Sequence, residues 1–413
     1  YVTEKIVTIL TSGYIGTSTD PAKNKFEFGP ANTFISGNAI EGARFRVGGT
    51  TTTAFSKRLF LEGYAAYGTT DRKIKYDALI EYSFNDKKEY RKEFPVNSIR
   101  LEYLYDINQL GQQYMYTNKD NIFLAWKRQR DTRATYLRNA ELTYYREHYN
   151  GIAYGAVLRN KKEYSTDYAV FDRIEEDGRI TPIKSYSMTE LEFKFRYAPN
   201  EKFFQTQWNR FPVSLDAPVF TLSHTIAGKG VLGSDYTYNH TEAGIQKRFW
   251  FSAFGYTDII LKAGKVWDKV PFPLLIMPNA NLSYTIQPES YSLMNAMEFM
   301  NDEYFSWDVT YFLNGWLFNR IPLLKKLKWR EIVSCRGLYG HLSDKNNPDM
   351  TDGLFAFPIA STRTMGKTPY VEAGVGIENI FKVLRLDYVW RLTYRDSPDI
   401  DKSGLRISLH MTF

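Results

Sequence analysis

The stretch TELEFKFRYA, residues 189–198, alternates apolar and charged side chains without a break. Its apolar and charged members are Leu191, Phe193, Phe195 and Tyr197 against Glu192, Lys194 and Arg196. A period of two puts all residues of one kind on one face of a β-strand. The stretch therefore predicts a strand that lies between an apolar environment and a charged, hydrated one.

The same two-residue period recurs along most of the chain. In residues 42–49, Ala43, Phe45 and Val47 alternate with Arg44 and Arg46. We count about sixteen such strands, most of about 10 to 14 residues, which is longer than the usual strand of a soluble sheet. They are predicted at 40–50, 57–68, 73–84, 97–107, 121–129, 136–148, 151–160, 186–197, 218–228, 237–251, 254–267, 304–318, 326–341, 369–379, 382–395 and 404–413.

The composition decides between two classes of β-protein. Aromatic residues make up 16% of the 413 residues, charged residues make up 24%, and the net charge is +7. A soluble sandwich and an outer-membrane barrel both alternate, but only the barrel needs long tilted strands with aromatic girdles at their ends. Transmembrane helices need about 20 successive apolar residues, and the sequence has no such run. We therefore predict an all-β, closed antiparallel transmembrane β-barrel in a bacterial outer membrane.

The connections between the strands predict how the barrel is organised. Short turns alternate with long connections at 161–185, 268–303 and 342–368, the asymmetry of outer-membrane barrels. Residues 39–413 are assigned to the barrel. Residues 1–38 are assigned to a segment before it, with a short amphipathic helix over 1–12. Because the chain opens without an initiator Met or a signal peptide, we expect it to be a mature or excised portion.

Motifs for catalysis, cofactors or metals are weak. The five histidines show no metal-ligand spacing, and Cys335 is the single cysteine. Ser223 and His224 would point to opposite faces of a strand, so a Ser–His enzyme would need a site built from separate strands. GVGIEN at 374–379 leads into a strand rather than a helix and fails as a nucleotide motif. We predict a protein that is not an enzyme and has no cofactor.

The basic stretch LLKKLKWRE, residues 323–331, is the best candidate for a charged binding surface. It lies in a predicted turn between two strands, where lysine and arginine reach lipid phosphates. We therefore expect membrane lipid, including anionic headgroups, as a partner and no nucleic acid. The charged strand faces either line a solute pore or pair with each other and fill the barrel; the interleaved signs favour the filled interior.

Several stretches resemble an outer-membrane family of unknown function from Bacteroidota, whose members often carry a carboxypeptidase-regulatory-like module upstream. They are NAIEGARFRVGG (38–49), GYAAYGTTDRKIKY (63–76), AGKVWDKVPFPLLIMPNANLSY (263–284), LMNAMEF (293–299) and NRIPLLKKLKWRE (319–331). That family is similar to the barrels of BamA and TamA. The resemblance implies sixteen strands, a long loop after the eleventh strand that folds into the lumen, and a weak seam between the first and last strands.

The resemblance also selects site residues. The inward loop corresponds to 268–303, but it lacks the Arg-Gly-aromatic motif that fixes this loop in BamA-type barrels. The expected residues of the lumen and inward loop are Arg44, Arg46, Asn281, Asn295, Glu298, Asp302, Arg385 and Asp387. The expected residues of the seam are Ala43, Arg44, Phe45, Arg46 and Val47 with Leu405, Ile407, Leu409, Met411 and Phe413.

Three functions follow from this prediction. The leading one is envelope protein assembly or translocation, or a structural place in an outer-membrane complex, with envelope proteins or an upstream periplasmic module as partners. The second is a diffusion channel or transporter for small solutes. The third is an enzyme embedded in the barrel.

Overall fold

The computed structural model describes residues 13–18, 20–114, 118–129, 132–205, 210–214, 217–358, 361–396 and 399–409. The predicted helix at 1–12 lies outside the described residues. So do the last four residues, His410 to Phe413, and with them the predicted seam positions Met411 and Phe413.

Within the residues that the structure describes, the fold is all-β, with eighteen strands in one large antiparallel sheet and two separate hairpins. The strands are β1 (Ile15–Gly16), β2 (Phe26–Phe28), β3 (Ile35–Asn38), β4 (Gly42–Thr51), β5 (Leu59–Gly68), β6 (Ile74–Ser83), β7 (Asn97–Gln109), β8 (Ala134–Glu147), β9 (Ile152–Tyr164), β10 (Phe171–Ile174), β11 (Ile180–Ile183), β12 (Ser185–Tyr197), β13 (Lys202–Gln205), β14 (Arg210–Ser214), β15 (Val219–Ala227), β16 (Tyr238–Trp250), β17 (Tyr256–Val266), β18 (Glu303–Phe312), β19 (Arg330–His341), β20 (Tyr370–Ile380), β21 (Leu384–Arg391) and β22 (Ser403–Leu409). Among the described residues, α-helix is confined to Ile122–Ala125 and Pro322–Leu327. Short 3-10 helices lie at Pro21–Lys23, Ala31–Thr33, Val231–Gly233, Ser252–Phe254, Phe272–Leu274, Phe318–Arg320 and Asp344–Asn346.

The sheet is a meander in which each long strand pairs with the next. Pairing runs from β4 to β9, then through β12 and β15, and on from β16 to β22. The hairpins β10–β11 and β13–β14 lie outside it. Sequence periodicity located the long strands because one face of each is apolar throughout, which fixes the register.

One predicted strand is wrong. Residues 121–129 hold the helix Ile122–Ala125 and an isolated bridge at Lys127, because the stretch NIFLAWKRQ has no sustained two-residue period. The described backbone of residues 291–300 has turns and isolated bridges.

Burial is inverted relative to a soluble protein. On β4, Arg44 is 0% and Arg46 6% exposed, whereas Phe45 and Val47 are 49% and 68% exposed. The same alternation continues on β6, with Lys75 buried and Ile74 exposed. Large exposed apolar surfaces and buried charges are the informative exceptions to ordinary burial. We call the apolar face of the sheet its outer face and the charged face its inner face.

The connection between β17 and β18, residues 267–302, packs on the inner face, and we call it the inserted segment. Every residue from 291 to 302 is buried. One apolar cluster joins Phe272 and Met297 of the inserted segment to Phe171 on β10 and to Phe355. A second joins Met294 and Phe299 to the strands through Leu338 and Tyr370. Burial of this segment supplies much of the core.

The first edge of the sheet differs from the prediction. β4 pairs with β5 on one side and with both β2 and β3 on the other. The seam assignment of Ala43, Arg44, Phe45, Arg46 and Val47 is therefore wrong, because β4 is an interior strand. The sheet also begins before residue 39, since β2 and β3 come from the segment assigned in front of the barrel. Their short length hid them from a periodicity argument.

Candidate functional site at the edge of the last strand

The free edge of β22 is covered by the inserted segment. Within residues 403–409, β22 pairs with β21 along one edge. At its other edge the Ile407 amide donates to the carbonyl of Tyr284 at 2.9 Å, and the Ile286 amide donates to the Ile407 carbonyl at 2.8 Å. These two bonds form a parallel bridge between Thr285 and Ile407. A loop thus supplies the partner that a neighbouring strand would supply in a continuous ladder.

A second segment continues this cover toward the first edge of the sheet. Lys127 and Ser283 form an antiparallel bridge, and the Arg128 amide donates to the Leu282 carbonyl at 2.8 Å. The adjoining helix Ile122–Ala125 contacts β3. We call residues 122–128 and 282–286 together the seam bridge. It connects the outermost edge of β22 to the strands at the start of the sheet.

An ion pair fixes the inserted segment to β21. Arg391 donates to both oxygens of Glu298, at 2.5 Å to Oε1 and 3.0 Å to Oε2. Both side chains are almost fully buried. Glu298 Oε2 also accepts the amide of Asn295 at 3.0 Å. Breaking one half of a buried, bidentate pair leaves an unpaired charge, so this contact restrains the segment strongly.

Further bonds hold the backbone of the segment rather than its side chains. The Glu372 carboxylate on β20 accepts the amides of Ser292 at 2.8 Å and Leu293 at 2.7 Å. Arg406 on β22 donates to the Ser292 carbonyl at 2.5 Å. The Tyr370 hydroxyl donates to Glu372 at 2.6 Å. The peptide group between Ser292 and Leu293 is therefore bound by charged side chains of the sheet at both its N–H and its C=O, and the preceding peptide group is bound at its N–H.

Arg128 links the seam bridge to the inserted segment. Its guanidinium donates to the Asn281 carbonyl, to Asn295 Oδ1 and to the Met294 carbonyl. It also pairs with Asp401 at 3.0 Å, just before β22. One side chain thus binds three parts of the chain that meet at the edge.

A second buried charge cluster lies on the inner face near the first strands. Arg44 donates to Asp106 at 2.8 and 2.9 Å and to Glu41 at 2.8 Å, and it lies 3.1 Å from Asp120. Lys75 pairs with Glu41 at 2.7 Å. This cluster fixes residues 118–120, which lead into the seam bridge, against β4.

Burial raises the pKa of the Tyr291 phenol in the inserted segment above its usual value, with the Asp308 carboxylate as the second cause. The phenol stays protonated and donates to the Gly337 carbonyl at 3.0 Å.

The six other predicted lumen and loop residues are all buried. Arg385 and Asp387 pair bidentately at 2.8 and 2.6 Å. Asp302 accepts from Asn346 at 2.9 Å, beside the end of the inserted segment. Asn281 accepts the Ser283 amide within the seam bridge, and Asn295 donates to the Asp399 carbonyl. Asn281, Asn295 and Glu298 come together at the edge. Asp387, the register partner of Arg406, lines a small cavity there with Ile286 and Ser292, and Arg385 is its ion-pair partner. Asp302 lies elsewhere on the inner face.

Three predicted seam positions on β22 are described. Leu405 is on the outer face and 47% exposed, Ile407 makes the bridge, and the Leu409 backbone pairs with Leu384. The sequence argument missed Glu372 and Arg128, because the groups that each binds are distant in sequence.

No group of three or more His, Cys, Asp or Glu among the described residues could hold a metal ion. None of the helices described is long and apolar enough to cross a membrane.

A large antiparallel meander with an apolar outer face and a charged, covered inner face defines a class of barrel-like β-proteins. Within that class the chain belongs to a family of unknown function, DUF5686: the model of its C-terminal domain matches residues 8–346. No curated protein matches the chain in sequence.

Solved structures resemble the chain at low sequence identity. BamA from Haemophilus ducreyi lacking POTRA domains 1–3 is 12% identical, with a TM-score of 0.51 over 92% of this chain and 70% of that one. OccK11 from Pseudomonas aeruginosa is 10% identical, with a TM-score of 0.34 over 88% and 86%. Wzi from Escherichia coli, described as a carbohydrate-binding β-barrel in capsule assembly, is 11% identical, with a TM-score of 0.33 over 90% and 78%. The likeness to BamA supports the fold assignment.

Proposed function

We propose that this chain is a bacterial outer-membrane β-barrel that acts in envelope protein assembly, with the edge of β22 as its working site. The sheet closes through the seam bridge, and the inserted segment fills the lumen. The inverted burial supports this placement, because an apolar outer face is stable only against lipid or another apolar surface. An open sheet edge in lipid would leave backbone groups without partners.

The ends of the strands support a membrane position. On the side of the short turns, Trp250, Phe251 and Phe254 are all exposed. Next to them, the helix Pro322–Leu327 exposes Leu323 and carries Lys325 and Lys326 in its last turn. Aromatic rings and snorkelling lysines are favoured at the interface between lipid and water. We propose anionic lipid headgroups as the partners of this helix, and no nucleic acid.

The pairing of β22 is the observation that carries the assembly function. The edge of this strand is satisfied at Ile407 by a loop segment through two backbone bonds. Backbone hydrogen bonds of this kind are independent of side-chain identity, so an incoming strand can replace the loop bond for bond. We propose that β22 exchanges the seam bridge for a strand of another envelope protein.

The remaining parts of the proposal follow from the same site. The protein acts without catalysis, metal or cofactor, because strand exchange needs only backbone donors and acceptors. Its partners are other envelope proteins or a periplasmic module of the same polypeptide. If the seam bridge stays closed, the protein instead has a purely structural role in an outer-membrane complex.

A reversible cross-link tests the exchange. In a background with Cys335→Ser, cysteines replace Thr285 and Ile407, the two partners of the bridge. The protein is placed in liposomes, and the folding of a urea-unfolded outer-membrane barrel is followed by its shift in gel mobility. We expect faster folding than in empty liposomes, loss of that acceleration on oxidation, and recovery on reduction.

The control is a cysteine pair at Val375 and Tyr388, which are register partners within the β20–β21 ladder. That pair joins strands already bonded along their length, so oxidation should leave the acceleration unchanged. Acceleration that survives the 285–407 cross-link, or no acceleration at all, would contradict the assembly function.

A further inference from the structure

A cavity of about 430 Å³ lies between the inserted segment and strands β16 to β19, and we call it the inner cavity. This volume is large enough for many water molecules or a small solute. Gln113, in the connection between β7 and β8, is exposed and belongs to the wall, so the cavity is open to solvent there. The Gln113 amide donates to Asn279 Oδ1 at 2.8 Å, and Asn279 Nδ2 donates to the Gln113 carbonyl at 3.2 Å. A solute can therefore enter past a fixed rim while the inserted segment stays in place.

The wall of the inner cavity carries more carboxylates than cations. Its carboxylates are those of Glu242, Glu289 and Asp308, and its cations are Lys262 and Arg336. Glu289 pairs with Lys262, and Asp308 pairs with Arg336 at 2.8 Å. Within the described part of the chain, Glu242 is the wall carboxylate that forms no ion pair. His240 also lines the cavity and adds no formal charge at neutral pH. The wall therefore has one negative charge in excess, and it belongs to Glu242.

Three neighbouring strands hold the Glu242 carboxylate in place. Glu242 on β16 is the register partner of Gly264 on β17, which is the register partner of Tyr304 on β18. A Cβ at Gly264 would lie 2.5 Å from Tyr304 Cε1, so this glycine lets the ring cross the middle strand. The Tyr304 hydroxyl then donates to Glu242 Oε2 at 2.8 Å. The other oxygen, Oε1, accepts no hydrogen bond from the described residues and is not enclosed by protein atoms, so it is available to a solute in the cavity.

The chemistry of the wall defines the class of solute. A carboxylate without a paired cation attracts positive charge more strongly inside a protein than in water, because the surroundings have a lower dielectric constant. An ammonium group supplies three hydrogen-bond donors. Hydroxyl groups suit the amides and hydroxyls of the wall, among them Gln109, Asn279 and Ser306. A metal ion does not fit, because no group of three or more His, Cys, Asp or Glu in the described part of the chain could hold one.

We propose that the inner cavity binds a small hydroxylated solute with one ammonium group, and that Glu242 selects the charge of this solute. The ammonium group donates to Glu242 Oε1, while the Tyr304 hydroxyl keeps its bond to Oε2. The bound cation balances the excess charge of the wall, whereas an anion would meet Glu242 without a cation beside it. No residue of the seam bridge belongs to the wall of the cavity. Binding of the solute is therefore independent of strand exchange at β22, and either can fail without the other.

Protection of a cysteine in the wall tests the site. In the Cys335→Ser background, Ser306→Cys places a thiol in the wall, and Thr70→Cys places one in the exposed turn between β5 and β6. The full chain in detergent is treated with a small uncharged thiol reagent at constant ionic strength. The probes are 2-amino-1,3-propanediol, glycerol and glycerate, which are similar in size and are a cation, a neutral molecule and an anion. The cation should slow labelling at residue 306 at about one tenth of the glycerol concentration. Glycerate should not slow it, and no probe should affect residue 70.

Two further variants decide the interpretation. Glu242→Gln should raise the protecting concentration of the cation about tenfold, the effect of losing a hydrogen bond to a charged group. Glu303→Gln removes a carboxylate outside the wall, which pairs with Lys265 at 2.7 Å, and should change nothing.

The comparison of the three probes uses the unaltered Glu242, so it tests the proposal even if Glu242→Gln does not fold. Equal protection by all three probes, or none by the cation, would overturn the proposal. So would undiminished protection by the cation in folded Glu242→Gln, or an equal loss of protection in Glu303→Gln.

Discussion

Two buried ionic regions of the inner face are built in opposite ways. Around Arg44, the charges of the sheet bind each other: the guanidinium meets the side chains of Glu41, Asp106 and Asp120. Around Ser292 and Leu293 of the inserted segment, charges of the sheet bind backbone: Glu372 accepts two peptide amides, and Arg406 donates to a peptide carbonyl. The first region joins strands to strands and to the turn at 118–120. The second holds a loop in place against the last three strands.

The difference determines which segment of the chain an incoming strand can replace. A side chain that binds backbone accepts any sequence that presents a peptide group at that place, whereas a side-chain cluster accepts only its own partners. The Arg44 cluster therefore suits a permanent junction, and the region around Glu372 suits a segment that yields to a strand. The predictions below compare the two regions through the stability of each.

Among the variants discussed, Arg44→Met is expected to lose the most stability. Arg44→Met leaves Glu41, Asp106 and Asp120 buried near one another without their shared cation. Removal of one partner from a buried ionic group costs about 3–5 kcal/mol. Three carboxylates lose Arg44 at once, and each keeps a second cation, Lys75, Lys119 or Arg46. We expect the urea midpoint of the protein in lipid vesicles, followed by tryptophan fluorescence, to fall by more than in any other variant discussed. A midpoint near that of the unmodified protein would show that the cluster is not a junction.

The next largest loss of stability is expected when the Arg391–Glu298 pair is broken. Arg391→Met leaves Glu298 with the more distant Arg363, at 3.7 Å, and with backbone donors. We expect a loss of about 2–4 kcal/mol, below the 3–5 kcal/mol scale for a fully abandoned charge. A double-mutant cycle with Glu298→Gln should give a coupling energy of about 1–3 kcal/mol. A coupling near zero would mean that the segment is held by its backbone contacts alone.

A smaller effect is expected at Glu372. Glu372→Gln keeps the shape of the side chain and one acceptor oxygen, but it loses the negative charge that accepts the amides of Ser292 and Leu293. Hydrogen bonds to a charged group contribute about 1.5–3 kcal/mol, and the amide retains part of this. Hydrogen exchange at these two amides should accelerate, while the amides of β6 keep their protection. Uniform acceleration over the whole sheet would contradict a local role for Glu372.

The long strands and the orientation of their faces were predictable because they depend on a local pattern. Phe45 and Val47 outside and Arg44 and Arg46 inside follow from alternation alone. The short strands β2 and β3 were not, because three or four residues carry too little periodicity. Glu298 was a candidate only through its position in the loop. Glu372 escaped prediction because its partners in the inserted segment are peptide amides, which nearly every residue has. Arg128 escaped it because its backbone and side-chain partners, among them Asn295 and Asp401, are distant in sequence.

The smallest loss of stability is expected at Arg58 and Asp86, which form an exposed ion pair at 2.5 Å. Arg58 directly precedes β5, and Asp86 lies in the connection after β6. The hydrogen bond from Arg58 holds the pKa of the Asp86 carboxyl below its usual value, so the pair is charged at neutral pH. Water and salt screen it almost fully, because both side chains are about half exposed. Arg58→Met should leave the urea midpoint unchanged, whereas Arg44→Met should lower it. Both variants remove an arginine that is paired with carboxylates. If the two variants lost equal stability, burial would not be the property that separates these ionic contacts. The difference in stability between the two inner-face regions would then depend on how many hydrogen bonds and ion pairs each has, and not on how deeply they are buried.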